Sequence, residues 1–224
     1  MSNTSSDGNA QGLPARRSRR KERPTALYSE RRKELLAAAA IAFRDLGYQG
    51  ATLGDVAKQA GVNRASVYYY FSTKEDALLE LISGPLLLNT RRMGKILRSD
   101  RPSAEKVSMA IGDLMAAFDD NYPALTIYFE ERFDRILAES SSSRHTELFS
   151  ALRRYLEMWE QLLEQGRKKG ELQFDGTARI TSFMVLGIIT YTSRWYRPDG
   201  DMSTQEISEL YTKLVLNGIK PRKR

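Results

Sequence analysis

Residues 52–75 read TLGDVAKQAGVNRASVYYYFSTKE, and this segment predicts two short helices joined at a single glycine. Thr52 with Asp55 three residues later has the spacing of a capping box, which opens the first helix. Gly61 breaks that helix, and Asn63 is a favourable N-cap for the second. A short glycine turn lets the second helix cross the first at a steep angle, so the segment has the size and spacing of a helix-turn-helix.

The two faces of the second helix differ in chemistry. Val67 and Phe71 supply apolar groups that would lock the crossing, whereas the opposite face carries hydrogen-bonding groups. Those polar groups are Arg64, Ser66, Tyr68, Tyr69 and Tyr70. Any helical protein can contain two short helices around a glycine, but side chains of this kind can reach phosphates and base edges in a major groove. The segment therefore predicts contact with double-stranded DNA.

The flanking sequence is also helical, and no alternating strand pattern persists. A preceding helix is expected from near Ser29, and Thr73 with Asp76 repeats the capping signature for a fourth helix from Lys74. Pro85 should kink or interrupt that helix. Further helices are expected to begin near Pro102 and Pro123, and the serines of 140–143 separate the next two helices. An apolar helix is expected from about Ala178 to Tyr196, and a last helix, capped by Ser203, should end near Gly218. The predicted fold class is all-α.

Composition excludes several classes of site. The chain has 224 residues, 41% of them apolar, with no cysteine and one histidine, His145. A disulfide framework and a thiolate metal site are thus excluded, and neither a metal nor a cofactor is expected. A carboxylate cluster of Glu130, Glu131 and Asp134 is interpreted as a solvated helix face rather than an enzyme site. No signal peptide is visible, and the longest uncharged apolar stretch, 180–193, is shorter than a membrane span, so a cytoplasmic protein with no membrane contact is expected.

The net charge of +7 lies in the two tails. Residues 1–28 carry six basic and two acidic groups, and the basic tail 220–224 carries four basic groups. Residues 1–28 have almost no apolar groups, which predicts a disordered arm. Its basic residues are Arg16, Arg17, Arg19, Arg20, Lys21 and Arg23. The arm either enters a minor groove or is a solubilising tail that adds only salt-sensitive attraction.

The segment 29–82, which contains the motif quoted above, closely resembles the DNA-binding signature of the TetR family. The resemblance implies a phosphate contact for Thr52 and another for Lys74 at the start of the fourth helix. It places Arg64, Ala65 and Ser66 at bases, next to the cap Asn63, with Tyr68 and Tyr70 gripping the backbone and Tyr69 near base edges. Two positions depart from the family pattern. Position 70 is often histidine there, and Gly54 stands where some relatives read a base with a long polar side chain.

The resemblance further implies that residues 83–219 form a helical ligand-binding and dimerisation domain. Segment 178–196 is apolar on almost all sides, which favours a two-fold interface with the last helix over burial within one subunit. The predicted interface residues are Phe183, Gly187, Tyr191, Leu210 and Leu214. The predicted pocket residues are Met93, Met115, Phe118, Tyr122, Phe129, Phe133, Trp159, Met184, Tyr191 and Trp195.

The function expected from these features is that of a homodimeric repressor. It would bind a pseudo-palindromic operator and be released by a small-molecule effector. The final 30 residues, with 194–200 before the last helix, look like those of TetR relatives that control lipid or steroid catabolism, so an acyl-CoA or another bulky apolar molecule is the expected effector. The alternatives are an enzyme, an architectural DNA binder that senses no ligand, and an activator.

Overall fold

The computed structural model describes residues 26–130 and 143–219. Within those ranges the chain forms nine α-helices, one 3₁₀ turn and no strand, so the all-α prediction is confirmed. The helices are α1 (Ala26–Leu46), α2 (Leu53–Gln59), α3 (Arg64–Tyr70), α4 (Lys74–Arg98), α5 (Ser103–Asp120), α6 (Ala124–Glu130), α7 (Ser143–Lys168), α8 (Ala178–Thr190) and α9 (Thr204–Ile219), with the 3₁₀ turn at Tyr191–Arg194.

The caps of the helix-turn-helix are formed as the sequence predicts. The Thr52 side chain accepts a hydrogen bond from the Asp55 amide, and the Asp55 carboxylate accepts one in return from the Thr52 amide. Asn63 Oδ1 accepts a hydrogen bond of 2.8 Å from the Ser66 amide at the start of α3. Gly61 has a φ of +65° between α2 and α3, which L side chains rarely adopt.

Helices α1, α2 and α3 close around one apolar core. The side chains of Leu35, Phe43, Val56, Val67 and Phe71 are all buried there. Val67 and Phe71 lie on the side of α3 that faces the core, so their packing sets the angle at which α3 crosses α2. The opposite side of α3 faces outward as a result.

Helix α4 is continuous through Pro85, so of the predicted kink or interruption the interruption is wrong, and a kink at that residue stays a prediction. A proline inside a helix removes one hydrogen bond and crowds the preceding turn. Here the buried residues Ile82 and Leu86 on either side anchor the helix, which packs against α1, α5, α6 and α7. Tertiary packing thus outweighs the local cost, and one continuous helix runs from the helix-turn-helix into the second half of the chain.

The second half is a bundle of the later helices around a separate part of the core. α5 packs on α9, and α7 packs on α4 and α8. The predicted helix from Ala178 to Tyr196 is shorter than expected, since α8 ends at Thr190 and the chain tightens into the 3₁₀ turn. In the two described ranges, no helix has the length and apolar content required to cross a bilayer.

Candidate DNA-binding surface and effector cavity

The outer face of α3 presents a row of polar and aromatic side chains. Arg64 and Ala65 are exposed, and so are the rings of Tyr68 and Tyr69, at 52% and 71%. Ser66 is half-buried beside the Asn63 cap. The structure therefore brings these predicted DNA-contacting residues together on the outward side of one short helix.

Tyr70 has a more internal position than its neighbours. It is half-buried, and its ring centroid lies 4.8 Å from that of Tyr28 and 5.0 Å from that of Tyr69. Its carbonyl accepts a hydrogen bond of 3.0 Å from Arg32 Nη1. Tyr70 thus joins the end of α3 to α1, and only part of the ring remains available to a DNA backbone.

Arg32 holds three helices together at that point. Its Nε and Nη2 each lie 2.5 Å from a different oxygen of the Glu80 carboxylate on α4. Its guanidinium also lies over the Phe71 ring, 4.7 Å from the centroid. The hydrogen bond to Glu80 raises the pKa of Arg32, against the opposing effect of burial. One side chain of α1 therefore ties the end of α3 to α4.

Thr52 and Asp55 form the exposed first turn of α2. The Thr52 hydroxyl donates to Asp55 Oδ2 over 2.6 Å. Hydrogen bonds from the Thr52 side chain and backbone lower the pKa of Asp55, and the nearby cations Lys58 and Arg64 lower it further. A phosphate contact by the Thr52 hydroxyl stays a prediction and would require its one proton, now donated to Asp55, to be donated to the phosphate instead.

Lys74 makes contacts that the sequence did not indicate. Its ammonium donates to the backbone carbonyls of Tyr48, Gln49 and Ala51, at 2.8, 2.9 and 3.2 Å. It also lies 4.7 Å from the centroid of the Tyr48 ring. Since an ammonium has three N–H groups, all are used within the protein. A phosphate contact by Lys74 stays a prediction and would require one of these bonds to be exchanged.

Arg31 is a candidate DNA contact that the sequence reasoning missed. It lines a surface hollow of about 420 Å³ together with Asn63, Ala65, Ser66, Tyr69 and Tyr70. The sequence carries no signal for this position, because the approach of α1 to the end of α3 is a contact between separate segments. The basic residues of the arm, at 16–23, lie outside the described residues.

A second feature is a cavity of about 480 Å³ in the helical bundle. Its wall is mostly apolar, and the polar groups are contributed by a few side chains. The apolar lining residues are Leu86, Leu114, Tyr128, Phe129, Phe149, Leu152, Tyr155, Leu156 and Leu186, and the polar ones are Asn89, Thr90, Arg153, Arg179 and Thr190. Burial raises the pKa of Tyr155 to about 12, so its phenol is neutral and available as a hydrogen-bond donor.

The predicted pocket residues divide into five groups. Phe129 lines the 480 Å³ cavity, and Tyr122 lines a smaller crevice of about 120 Å³ with Thr126 and Arg197. Four others, which do not line the large cavity, are fully buried in the core: Met93, Met115, Phe118 and Trp159. Met184, Tyr191 and Trp195 are exposed, and Phe133 lies outside the described residues. Large apolar side chains indicate burial, but periodicity alone does not show which buried face borders empty space.

Most of the exposed large apolar residues of the second half lie on α8, the start of the 3₁₀ turn and α9. Phe183, Tyr191, Leu210 and Leu214, all predicted interface residues, are between 45% and 62% exposed. A Cβ added at Gly187 would meet no atom within 4 Å, so that stretch of α8 is open to close approach. An apolar face of this kind on a single subunit is typical of a protein–protein contact surface.

Carboxylates and histidine do not form a metal centre in the parts of the chain that the structure describes, since no three potential ligands come together there. Glu130 is exposed at the end of α6. Glu131 and Asp134, the other members of the acidic group considered above, and the side chain of His145 lie outside the description.

Comparison with known proteins agrees with this architecture. The HTH-type transcriptional repressor KstR2 of Mycobacterium tuberculosis is 28% identical over 200 residues, which cover 88% of this chain and 97% of that protein. The solved structure of the ketosteroid transcriptional regulator KstR2 from the same organism matches with a TM-score of 0.77 at 26% identity, covering 86% of this chain and 96% of that one.

A more distant structure shares the fold. The transcriptional regulator FadR from Bacillus subtilis, solved in complex with stearoyl-CoA, matches with a TM-score of 0.63 at 23% identity, covering 83% of this chain and 98% of that one. These relatives are transcriptional regulators and not enzymes. Residues 100–219, more than half of the chain, match the family described as Tetracyclin repressor-like, C-terminal domain. Residues 35–81 match the family described as Bacterial regulatory proteins, tetR family. The chain therefore belongs to the TetR family of bacterial transcriptional regulators.

Proposed function

We propose that this protein is a ligand-responsive DNA-binding repressor whose effector is an amphipathic molecule with an apolar body and an anionic head, of the acyl-CoA class. The observation that carries the proposal is the outward face of α3. There Arg64, Tyr68 and Tyr69 stand exposed on a helix whose inner face, at Val67, is fully buried. A helix fixed on one side and polar on the other is suited to insertion into a major groove.

The active unit is a homodimer. Dimerisation is typical of the family, and the exposed apolar residues of α8 and α9 support a two-fold contact there, in which the same surface of each subunit would meet its copy. A two-fold axis would present the two copies of α3 to successive major grooves, about 34–36 Å apart, on a pseudo-palindromic operator. We divide the chain accordingly into a DNA-binding domain at 29–82 and a ligand-binding and dimerisation domain at 83–219. As a DNA-bound repressor it would act in the cytoplasm, at the nucleoid.

The cavity supports the choice of effector class. Its volume of about 480 Å³ lies in the range of small-molecule pockets, and its wall is predominantly apolar. Arg153 and Arg179 line it from α7 and α8 with exposed guanidinium groups. Guanidinium groups are suited to phosphate or carboxylate recognition, so the two arginines would hold the head while the apolar wall holds the chain. An architectural DNA binder without a ligand has no evident use for such a cavity.

Helix α4 provides the connection between the two sites. Its N-terminal half is tied to α1 and α3 through Glu80, and its later residues Leu86, Asn89 and Thr90 line the cavity. An effector that favours a shifted position of α4 would move both copies of α3 out of register with the grooves. Release requires that the effector bind the shifted state more tightly, and operator DNA must then weaken effector binding by the same factor.

The first experiment selects DNA from a randomised double-stranded library with the purified protein at fixed salt. The selected sequence is expected to be a two-fold motif with half-sites about one DNA turn apart. Replacing both Arg64 and Tyr68 with alanine should reduce affinity for it about 100-fold, since base contacts and phosphate contacts are lost together. Arg101→Ala, in the connection between α4 and α5, serves as the matched control and should bind like the wild type. Unchanged operator affinity in the double variant would reject the DNA-binding surface.

The second experiment titrates palmitoyl-CoA, CoA alone and palmitate against the protein–DNA complex. We expect palmitoyl-CoA to lower operator affinity at least tenfold, and CoA alone to have little effect because it lacks the apolar chain. Arg153→Ala and Arg179→Ala should each weaken the response while leaving DNA binding without ligand intact. If palmitate acts as strongly as its thioester, the effector is a simple carboxylate. If none of the three acts, the effector class is wrong.

A further inference from the structure

Gly54 lies in the first turn of α2, where it faces the first residue of α3. A Cβ added there would lie 3.0 Å from Arg64 Nε, 3.2 Å from Cζ and 3.3 Å from Nη2. Three atoms of one guanidinium at such similar distances mean that the group lies flat across the glycine. The side chain of Arg64, although exposed, is therefore seated on the backbone of α2.

The part of α2 against which Arg64 packs, at Gly54, is bordered by a carboxylate. Asp55 follows Gly54, and the positive charge of Arg64 contributes to lowering the pKa of that carboxyl group, after the larger effect of the Thr52 hydrogen bonds. Asp55 is itself fixed by the Thr52 amide at 3.0 Å and the Thr52 hydroxyl at 2.6 Å. Arg64 is thus held on one side by packing against a backbone without a side chain and attracted on another by a fixed carboxylate.

An unrestrained arginine on a helix surface samples many rotamers, and ordering it on DNA costs conformational entropy. A guanidinium already held in one place enters the groove with its two parallel N–H groups aimed in one direction. Base discrimination by arginine depends on that aim, because bidentate pairing with a guanine edge requires both N–H groups at once.

We propose that Gly54 determines operator specificity by forming the seat that positions the Arg64 guanidinium for one base pair in each half-site. Gly54 is then a positioning residue that touches no base itself. Its lack of a side chain is the functional feature, since even a methyl group would displace the guanidinium by a few tenths of an ångström.

The test compares wild type, Gly54→Ala, Arg64→Ala and the double variant by selection from a randomised double-stranded DNA library at one salt concentration. Arg64→Ala should lose the preference at one base pair per half-site, by about tenfold. Gly54→Ala should reduce or shift the preference at that same base pair by about fivefold and leave the other positions unchanged. The double variant should match Arg64→Ala, because Gly54 acts only through Arg64.

Gly84→Ala in α4 is the matched control. A Cβ at Gly84 would meet nothing within 4 Å, so this variant reports the general effect of replacing a helical glycine. Both alanine variants should unfold at or above the wild-type temperature, because alanine favours helix. The proposal is overturned if Gly54→Ala keeps the wild-type base preferences. It is also overturned if Gly54→Ala lowers the affinity for all DNA sequences equally, both in the wild type and in the Arg64→Ala background.

The proposal depends on the DNA-binding function argued above, and the two fail differently. If the wild type selects no sequence, the proposed function fails. If the wild type selects a motif and Gly54→Ala selects the same motif with the same weights, only the role of Gly54 fails.

Discussion

Lys74, for which the family resemblance implies a phosphate contact, makes hydrogen bonds that stabilise the fold. Its ammonium donates to three carbonyls in the connection between α1 and α2, two of them from the buried residues Tyr48 and Ala51. Removing the ammonium breaks all three of these hydrogen bonds at once, and hydrogen bonds to a charged group contribute more to stability than neutral ones. The connection between α1 and α2 places Thr52 at the start of α2, so the position of this connection depends on Lys74.

We therefore expect Lys74→Ala to lower the free energy of unfolding by about 2 kcal/mol, the usual range for hydrogen bonds to a charged group. Chemical denaturation at fixed protein concentration measures it. Lys58→Ala, at an exposed position of α2, is the control and should change the value by no more than about 0.5 kcal/mol. If Lys74→Ala unfolds like the wild type and only its operator affinity falls, the lysine is a phosphate contact and not a structural one.

At the scale of elements, α4 has to move as a unit with the helix-turn-helix if a bound effector is to displace α3. The Arg32–Glu80 pair makes that possible, since the two side chains are only 22% and 20% exposed and are joined by two parallel hydrogen bonds. A lysine at position 32 cannot make this bidentate contact and also reach the Tyr70 carbonyl. The pair is thus a joint between α1, α3 and α4.

Arg32→Lys should reduce the free energy of unfolding by about 2 kcal/mol and weaken the effect of the effector on operator affinity. Arg101→Lys provides a matched comparison, because Arg101 forms an exposed pair with Glu105 and its replacement should cost at most about 0.5 kcal/mol. Denaturation curves and operator titrations with and without palmitoyl-CoA supply both readouts. A variant that is destabilised but responds fully to the effector would show that the pair stabilises the fold without transmitting movement.

At the scale of the whole molecule, function requires two copies of α3 at a defined separation. The exposed apolar residues of α8 and α9, open at Gly187, are the described surface best suited to provide that symmetry. A single subunit offers only one α3, so its affinity for a two-fold operator lacks the gain from simultaneous engagement of both half-sites.

Leu214→Glu places a charge on this face at a residue that is 59% exposed in the subunit, so the subunit itself should fold normally. We expect a solution mass of 25.5 kDa rather than twice that value, and operator affinity lower by about 100-fold. Light scattering after size exclusion measures the mass. Leu46→Glu, at a similarly exposed leucine on α1, should keep the mass of the wild type. A dimeric Leu214→Glu protein would place the interface elsewhere.

Local chemistry was enough to predict the helix-turn-helix. The caps at Thr52 and Asn63, the break at Gly61 and the outward side of α3 follow from hydrogen bonds and periodicities within a few residues of one another. The same local character explains why the all-α class could be read along the chain. The error at Pro85 has the opposite origin, because the helix continues there through contacts with helices distant in sequence.

Three features depend on the arrangement of the helices in space. They are the cavity, the Arg32–Glu80 pair and the packing of Arg64 on Gly54. Tyr155 and Leu186 border the same empty volume because α7 packs on α8, and nothing in either segment indicates this beforehand. Arg32 binds Glu80, which lies 48 positions later in the chain, and Arg64 packs against Gly54 across the turn between α2 and α3. Short-range hydrogen bonding and periodicity act within a segment and can be read from its residues, whereas empty space and long-range ion pairs exist only between segments that folding has brought together.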